Sequence, residues 1–545
     1  MFADDKEVLD GVCNGFRLIS SDELCNVKPS VLSNHRSALA NEKIVSDIVK
    51  DEIDRGRYEI CDPGCHPLIV SPLGLVPKGD GGHRLIHDCS VPRGGAVNDY
   101  AVLLDKQSYE SVDVAVSFMS ENCYMAKVDI KSAYRAVACH PDSFLVTGLQ
   151  WSINGRTTYL FDKRLPFGAR PSPTHFHKIS QCIKRIMQRK GFSINLVAYQ
   201  DDFLIVSSSH AECTKGYIEL MDLLRRLGFT INMSKAVPPC QILTFLGIEL
   251  NSKAMTISLP ENKLQGIKAT LHEFIGKVRA TKRQLQSLAG KLNHASKVVR
   301  GGRTFMRRIL NSIRVLKKKD HKCKLNGAVM KDILWWNEFM SQFNGVENCI
   351  RVNEAVCAAT DACLTGGGAF YNGDFQYVNW INDYPEYSDL PINYKEATMA
   401  ALCMGRWASS WRDRLVFIYT DNKCTVSIIN KCSCKSDLVM KILRKNFWIM
   451  AQNNIHVKAV YLKGEENIMA DAVSRLHEGF SRLCDFEMLY NEWYFAHHHI
   501  PNAFNHVSLC NHLSLSSLLT LQDRERFRCL RWPWMRSFVP CLQHH

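Results

Sequence analysis

Hydrophobic spacing divides the chain into stretches of different period. Ile44, Ile48, Val49 and Ile53 fall on one face of a 3.6-residue repeat and predict a helix over His35–Arg57. Residues 60–250 alternate short apolar runs, Gly/Pro turns and helical repeats, the pattern of an α/β or α+β domain. Leu264, Ile267, Leu271, Phe274 and Val278 recur at helical spacing, as do Leu285, Leu288 and Leu292, so 258–345 is predicted helical. A second α/β unit follows at about 354–476, with strands in AVCAATDA and RLVFIYTD. Residues 1–34 carry little periodicity. The stretch from about 477 to 545 is rich in His and aromatics without a clear period, and its His497–His499 run is read as exposed chain rather than a metal site.

Two short patterns add candidate chemistry. In NLVAYQDDFLIVSSS, Asn195–Tyr199 and Phe203–Val206 read as strands, with Gln200–Asp202 as the turn between them. A bare acidic pair in a turn is ordinarily just a solvated turn. Here YMAKVDIKSAYRAV places a further carboxylate, Asp129, at the end of another strand. Three carboxylates brought together repel unless cations neutralise them. Magnesium suits that task because it takes hard oxygen ligands and shares them with phosphates.

At this point the sequence resembles reverse transcriptases. YQDD between apolar strands resembles their catalytic box, and KVDIKSAY their first aspartate box. RLPFGARPSP, LVPKGDGGHRLIHDCSVPRGGAVND, GFTINMSKA and LTFLGIEL are similar to the family's remaining segments, in the family's order. The resemblance implies that Asp129, Asp201 and Asp202 bind two Mg2+ ions, with Mn2+ as an alternative ion. Two such ions about 4 Å apart can clamp the attacking and leaving oxygens of a phosphoryl transfer. It also implies that Lys78 and Arg84 reach the triphosphate, with an Arg84–Asp88 ion pair as the rival reading. Tyr134 would exclude a ribose 2′-OH. Phe167 and Gly168 would border the nucleotide in the turn before a helix opened by Pro171 and Pro173, the glycine permitting close backbone approach. Lys235 would protonate the pyrophosphate leaving group.

A second carboxylate set resembles ribonuclease H: Asp361 in CAATDACLTGGGAF, Glu396 in NYKEATMAALCMGRW, Asp421 in RLVFIYTDN and Asp471 in ENIMADAVSR. All four would hold a further pair of divalent ions. The Gly366–Gly368 run reads as a tight turn. The resemblance gives an α+β fold: a right-hand polymerase followed by an α/β ribonuclease H-like domain. Its divisions are 1–34, an N-terminal segment; 35–255, fingers and palm; 256–350, helical thumb and connection; 351–477, ribonuclease H-like; and 478–545, unassigned. The run TKRQLQSLAGKLNHASKVVRGGRTFMRR looks most like tyrosine-recombinase (DIRS-like) retrotransposons.

Composition fits this picture. The 545 residues are 46% hydrophobic and 22% charged, an ordinary globular balance. A net charge of +14 favours an acidic partner such as nucleic acid. Ten basic residues against one acid, Asp320, fall within 300–324, a segment expected to touch sugar-phosphate backbone. The implied partners are RNA template, DNA or RNA primer, RNA–DNA hybrid and deoxynucleoside triphosphates, with a separate recombinase and capsid protein from the same element. No apolar run reaches about 18 residues, so no membrane span is expected. The acidic start MFADDKEVLDG is not a secretory signal. The 22 scattered cysteines suit a reducing compartment, so the expected location is the cytoplasm or nucleus. The readings from other classes are a catalytically silent nucleic-acid-binding relic and an RNA-directed RNA polymerase.

Overall fold

Side-chain alternation decides which face of each strand is covered. The computed structural model describes residues 3–498 except 63–65, 79–80, 103–106, 326 and 350–354. These residues fall into two units, Met1–Thr256 and Ile257–His545. In the first, a four-stranded antiparallel sheet runs in the order Val237–Cys240, Tyr124–Asp129, Asp202–Ser207, Asn195–Tyr199. Ala126, Val128, Leu196, Ala198, Phe203 and Ile205 occupy one face, two residues apart along each strand. They share a core with Phe176, Ile179 and Ile183 of helix Pro171–Gln188 and with Leu220 and Leu224 of helix His210–Arg226. By the same alternation Lys127, Asp129 and Asp202 point to the opposite face.

A second, five-stranded sheet (Ser30–Val31, Ile69–Val70, Gly148–Ile153, Arg156–Asp162, Tyr58–Ile60) and the hairpin Leu73–Pro77/His83–His87 complete this unit. The helix predicted over His35–Arg57 is two helices, Arg36–Leu39 and Glu42–Asp54. Val45 and Val49 are its fully buried residues, while Ile44, Ile48 and Ile53 pack at the margin. Residues 1–34, which lack a period, nonetheless contain the helix Ala3–Asn14. Ion pairs from Asp5 to Arg185 and from Glu7 to Lys178 tie it to the Pro171–Gln188 helix.

Gly168 is required by a close approach within the chain itself. Its φ is +139°, and a Cβ there would lie 1.8 Å from the His87 carbonyl oxygen. The close approach is to the chain's own backbone, where His87 N–H donates to Phe167 O at 2.9 Å. Gly168→Ala is therefore expected to destabilise the first unit by about 2 kcal/mol or more, a drop readable in thermal unfolding.

In the second unit a five-stranded mixed sheet runs Asp374–Asn379, Gly366–Tyr371, Val356–Ala362, Leu415–Thr420, His456–Tyr461. The first three strands are antiparallel and the last three parallel. Parallel pairing requires crossovers, which the helices Ile392–Trp407, Lys423–Lys431 and Asp437–Asn453 supply. This is the second α/β unit that the sequence pattern predicted at about 354–476. The Gly366–Gly368 run is not a turn but the start of a strand. A Cβ at Gly368 would meet Ser474 N at 2.4 Å and Ala470 O at 2.5 Å, so missing side chains let the helix Ile468–Ser474 lie directly on the sheet.

The segment predicted wholly helical contains Glu261–Phe274, Lys282–Ala295, Arg307–Val315 and Gly327–Gln342, plus a two-stranded ribbon, Arg279–Thr281 with Lys322–Lys324. Val278 lies beyond the first helix and is exposed. The basic stretch is only partly solvated: Arg300 pairs with Glu347, and Arg308 with the fully buried Asp332. Phe305 stacks on Trp335 at 3.6 Å, and both meet Phe447 edge-on. The region after 477 begins with a helix, Phe480–His498, whose Phe486 is buried and whose Trp493 packs on Phe370. His499 of the His497–His499 run, and everything after it, lies outside the described residues.

Candidate active sites

The hairpin register builds the first site. Asp202 stands directly opposite Tyr199 on one side and Asp129 on the other. Opposed residues in an antiparallel ladder have Cα atoms about 5 Å apart and share a face. The turn is therefore two residues, Gln200–Asp201, with Asp202 already in the strand rather than in the turn. Gln200 has a φ of +55°, a conformation that must be held in place. Ser180 Oγ donates to Gln200 O at 2.6 Å, and Gln200 Nε2 donates to Pro173 O at 3.1 Å. The Ile130 N–H donates to Asp201 O at 3.0 Å. Three neighbours, two on the helix Pro171–Gln188 and one directly after Asp129, thus fix the acidic tip.

The carboxylates repel one another there. Burial, followed by Asp201 and Asp129, pushes Asp202 up to about 6. Burial and Asp129 raise Asp201. Asp129 is buried, and the half-exposed Lys235 lies 3.4 Å from its Oδ2. Lys235 thus sits beside the carboxylates.

Three more expected residues line this region. Tyr134 donates its hydroxyl to Gln200 Oε1 at 3.3 Å, and its ring lies 5.2 Å from Phe167. The Arg84 guanidinium sits 4.8 Å over the Phe167 ring. Asp88 pairs instead with His35 at 2.9 Å, so the rival Arg84–Asp88 pair is not formed. Arg135, next to Tyr134, is buried between Asp162 and Glu52 at 2.7 and 2.6 Å and pins that turn. Lys78 is exposed at the end of the Leu73–Pro77 strand, in the hairpin that also carries Arg84. Gln200 and Lys127 lie inside the quoted motifs but had no role assigned from the sequence, and Ser180 lies outside them.

The second site lies at the carboxyl ends of two parallel strands, where side chains of α/β sheets converge. Asp361 is the penultimate residue of Val356–Ala362, and Asp421 follows Leu415–Thr420 directly. Glu396 reaches in from its helix. Carboxylate oxygens of Asp361, Glu396 and Asp421 all lie within 4.8 Å of one another. Burial, then Asp361 and Asp421, raises Glu396 to about 9. Burial, opposed by the Ser474 hydroxyl and reinforced by Asp471 and Asp421, raises Asp361 to about 6. Asp471 stands apart from this trio: its Oδ1 accepts from Arg475 Nε at 2.9 Å. Ser474 donates to Asp361 Oδ2 at 2.7 Å. Its place three residues after Asp471, on the same helix face, is the sequence signal that could have found it.

Residues 76–250 match the family described as Reverse transcriptase (RNA-dependent DNA polymerase). The chain is 27% identical over 173 residues to the Gag-Pol polyprotein of Avian reticuloendotheliosis virus, covering 29% of this chain and 14% of that one. It is 23% identical over 455 residues to the Transposon Tf2-3 polyprotein of Schizosaccharomyces pombe, covering 78% of this chain and 30% of that one. The chain thus spans less than a third of the length of these curated relatives. A solved foamy viral protease-reverse transcriptase, in complex with RNA/DNA hybrid, matches with a TM-score of 0.51 at 15% identity, covering 82% of this chain and 56% of that one. The likeness is one of fold: a reverse-transcriptase polymerase followed by a C-terminal domain. The similarity is thus to a reverse transcriptase domain over residues 76–250 and, beyond it, to retroviral and retrotransposon polyproteins. Among the described residues no helix is long and apolar enough to cross a membrane.

Proposed function

We propose that this chain is the RNA-directed DNA polymerase of a retrotransposon, coupled to ribonuclease H cleavage of the RNA in the resulting hybrid. The observation that carries the reading is the register of Asp129 against Asp202, with Asp201 at the adjoining tip. Buried, mutually repelling carboxylates with raised proton affinity fit divalent cations. Asp129 and Asp201 are the main ligands in this reading and Asp202 an auxiliary one. Bound Mg2+ or Mn2+ would supply charge neutralisation of the primer 3′ oxygen and the leaving pyrophosphate. Around it Arg84 and Lys78 bind the triphosphate, Phe167 supports Arg84, and Lys235 holds a proton beside the leaving group. In the second unit Asp361, Glu396, Asp421 and Asp471 hold the ions for hybrid cleavage, Asp471 on leaving Arg475.

The partners in this reading are RNA template, DNA or RNA primer, deoxynucleoside triphosphates and the hybrid product. Integration falls to a recombinase of the same element, in keeping with a DIRS-like origin suggested by the 281–308 run. The experiment is primer extension on a primed RNA template with deoxynucleotides. Extension supports the reading, and template binding without extension supports a silent relic.

Sugar choice gives a second readout. Tyr134 is anchored by Gln200 and Phe167, so its ring is a fixed wall rather than a mobile side chain. Tyr134→Ala is expected to raise the relative use of ribonucleotides by roughly 10–200-fold, the range for a steric pocket change. Competition between ribo- and deoxynucleotides in the same extension assay measures it, and unchanged discrimination refutes the assignment.

A further inference from the structure

Beside the second carboxylate site lies a donor set of different chemistry. Cys363, His477 and Glu478 each offer one ligand atom, and these atoms lie within 4.8 Å of one another. Sulfur, imidazole and carboxylate together favour a borderline ion such as Zn2+ over Mg2+, which prefers oxygen alone.

The surroundings are arranged as those of ligands are. Cys363 closes a tight turn with Gly366: its N–H donates to Gly366 O at 2.9 Å, and Gly366 N–H donates back to Cys363 Sγ at 3.0 Å. That N–H and the Ser474 carbonyl, to which Cys363 Sγ donates at 3.5 Å, fix the position of the sulfur. His477 Nε2 lies 2.7 Å from Thr365 Oγ1. A proton on Nε2 satisfies that contact and leaves the Nδ1 lone pair for an ion, the usual outer-shell pattern of a ligating histidine. Nδ1 faces Gly366, 3.0 Å from where a Cβ would stand. The same glycine therefore binds the sulfur and leaves room beside the imidazole. The Tyr377 ring stacks 5.8 Å from His477 and fixes its plane. Arg475 and Arg482 lie 3.7 and 3.6 Å from the Glu478 carboxylate and keep it nearby.

We propose that Cys363, His477 and Glu478 form a Zn2+ site distinct from the carboxylate centre, with a fourth position open to water. An ion there clamps the 363–366 turn to the chain end that follows Ser474, the residue that donates to Asp361. The proposal does not depend on either catalytic activity.

The test uses the full chain equilibrated with Zn2+ in excess Mg2+, dialysed, and assayed for retained zinc by mass spectrometry. The wild type is expected to keep one more zinc per chain than Cys363→Ser or His477→Gln. Cys424→Ser, which removes an exposed thiol elsewhere, is expected to match the wild type. With Co2+ in place of Zn2+, the wild type is expected to show a thiolate-to-cobalt charge-transfer band that weakens in Cys363→Ser. Equal zinc content across all four proteins, or a cobalt band indifferent to Cys363→Ser, overturns the site. Should Cys363→Ser fail to fold, His477→Gln and Glu478→Gln decide: lower retention in either supports the site, and undiminished retention in both overturns it.

Discussion

Asp201→Asn is expected to lower the single-turnover rate of deoxynucleotide incorporation on a primed RNA template by about 10³-fold or more, roughly 4 kcal/mol of transition-state stabilisation. The substitution keeps the shape of the tip. The turn is held through the Gln200 backbone and side chain and through Asp201 O, none of which it removes. What it removes is one charged oxygen ligand. Template binding, which the proposed reading assigns to basic residues away from the tip, is expected to stay within a few-fold of wild type. Asp202→Asn should cost less, because Asp202 is already raised to about 6 by burial and its neighbours and gives up its proton less readily. A folded Asp201→Asn chain that extends primers at the wild-type rate would remove Asp201 from the chemistry.

The second large effect concerns the carboxylates of the five-stranded sheet in the second unit and is expected in stability as well as activity. Glu396 is raised to about 9 and Asp361 to about 6 when no cation is bound. A raised folded-state value means that the folded chain holds these protons more tightly than the unfolded chain does. The contribution to stability is full below the ordinary carboxylate range, near pH 4. It is lost as pH rises through about 6 for Asp361 and about 9 for Glu396. The metal-free chain should therefore melt at a lower temperature at roughly pH 9 than at roughly pH 5 from this source, and Mg2+, which binds the deprotonated forms, should raise the melting temperature more at the higher pH. Glu396→Gln is expected to flatten that difference and to abolish cleavage of an RNA–DNA hybrid while leaving primer extension intact. Scanning calorimetry at the two pH values, with and without Mg2+, reads the first effect. A Mg2+-induced shift identical in wild type and Glu396→Gln would show that Glu396 does not face an ion.

The residues that the sequence exposed most clearly are those whose chemistry is written in local pattern. An acidic pair between two apolar runs marks a hairpin, although the tip is Gln200–Asp201 with Asp202 already in the strand, and the strand alternation around Asp129 puts its side chain on the face away from the core. The carboxylates of the second unit were legible for the same reason, because each ends or adjoins an apolar strand or helix. Long-range partners were not legible. Gly168 was expected to make room for a nucleotide, yet the atom it makes room for is the His87 carbonyl, far away in sequence. Gly366–Gly368 looked like a turn because three glycines rarely form a strand, and what excludes side chains there is long-range: the helix Ile468–Ser474 lies against Gly366 and Gly368, and Trp380 and Met399 lie against Gly367. The helix Phe480–His498 escaped notice because its aromatics pack from several sides, which erases a single apolar stripe. Arg475 could not be foreseen as the partner of Asp471, since helix spacing permits that pair without requiring it.

The claim on which the rest depends is that Asp129 and the Tyr199–Asp202 tip make a working divalent-cation centre. Primer extension by the wild-type chain on primed RNA, with Mg2+ titrated against a chelator, tests it most directly. DNA product that appears with the ion, disappears with the chelator and returns when Mg2+ or Mn2+ is restored is the expected result. A chain that binds the primed template yet adds no deoxynucleotide with either ion would contradict it.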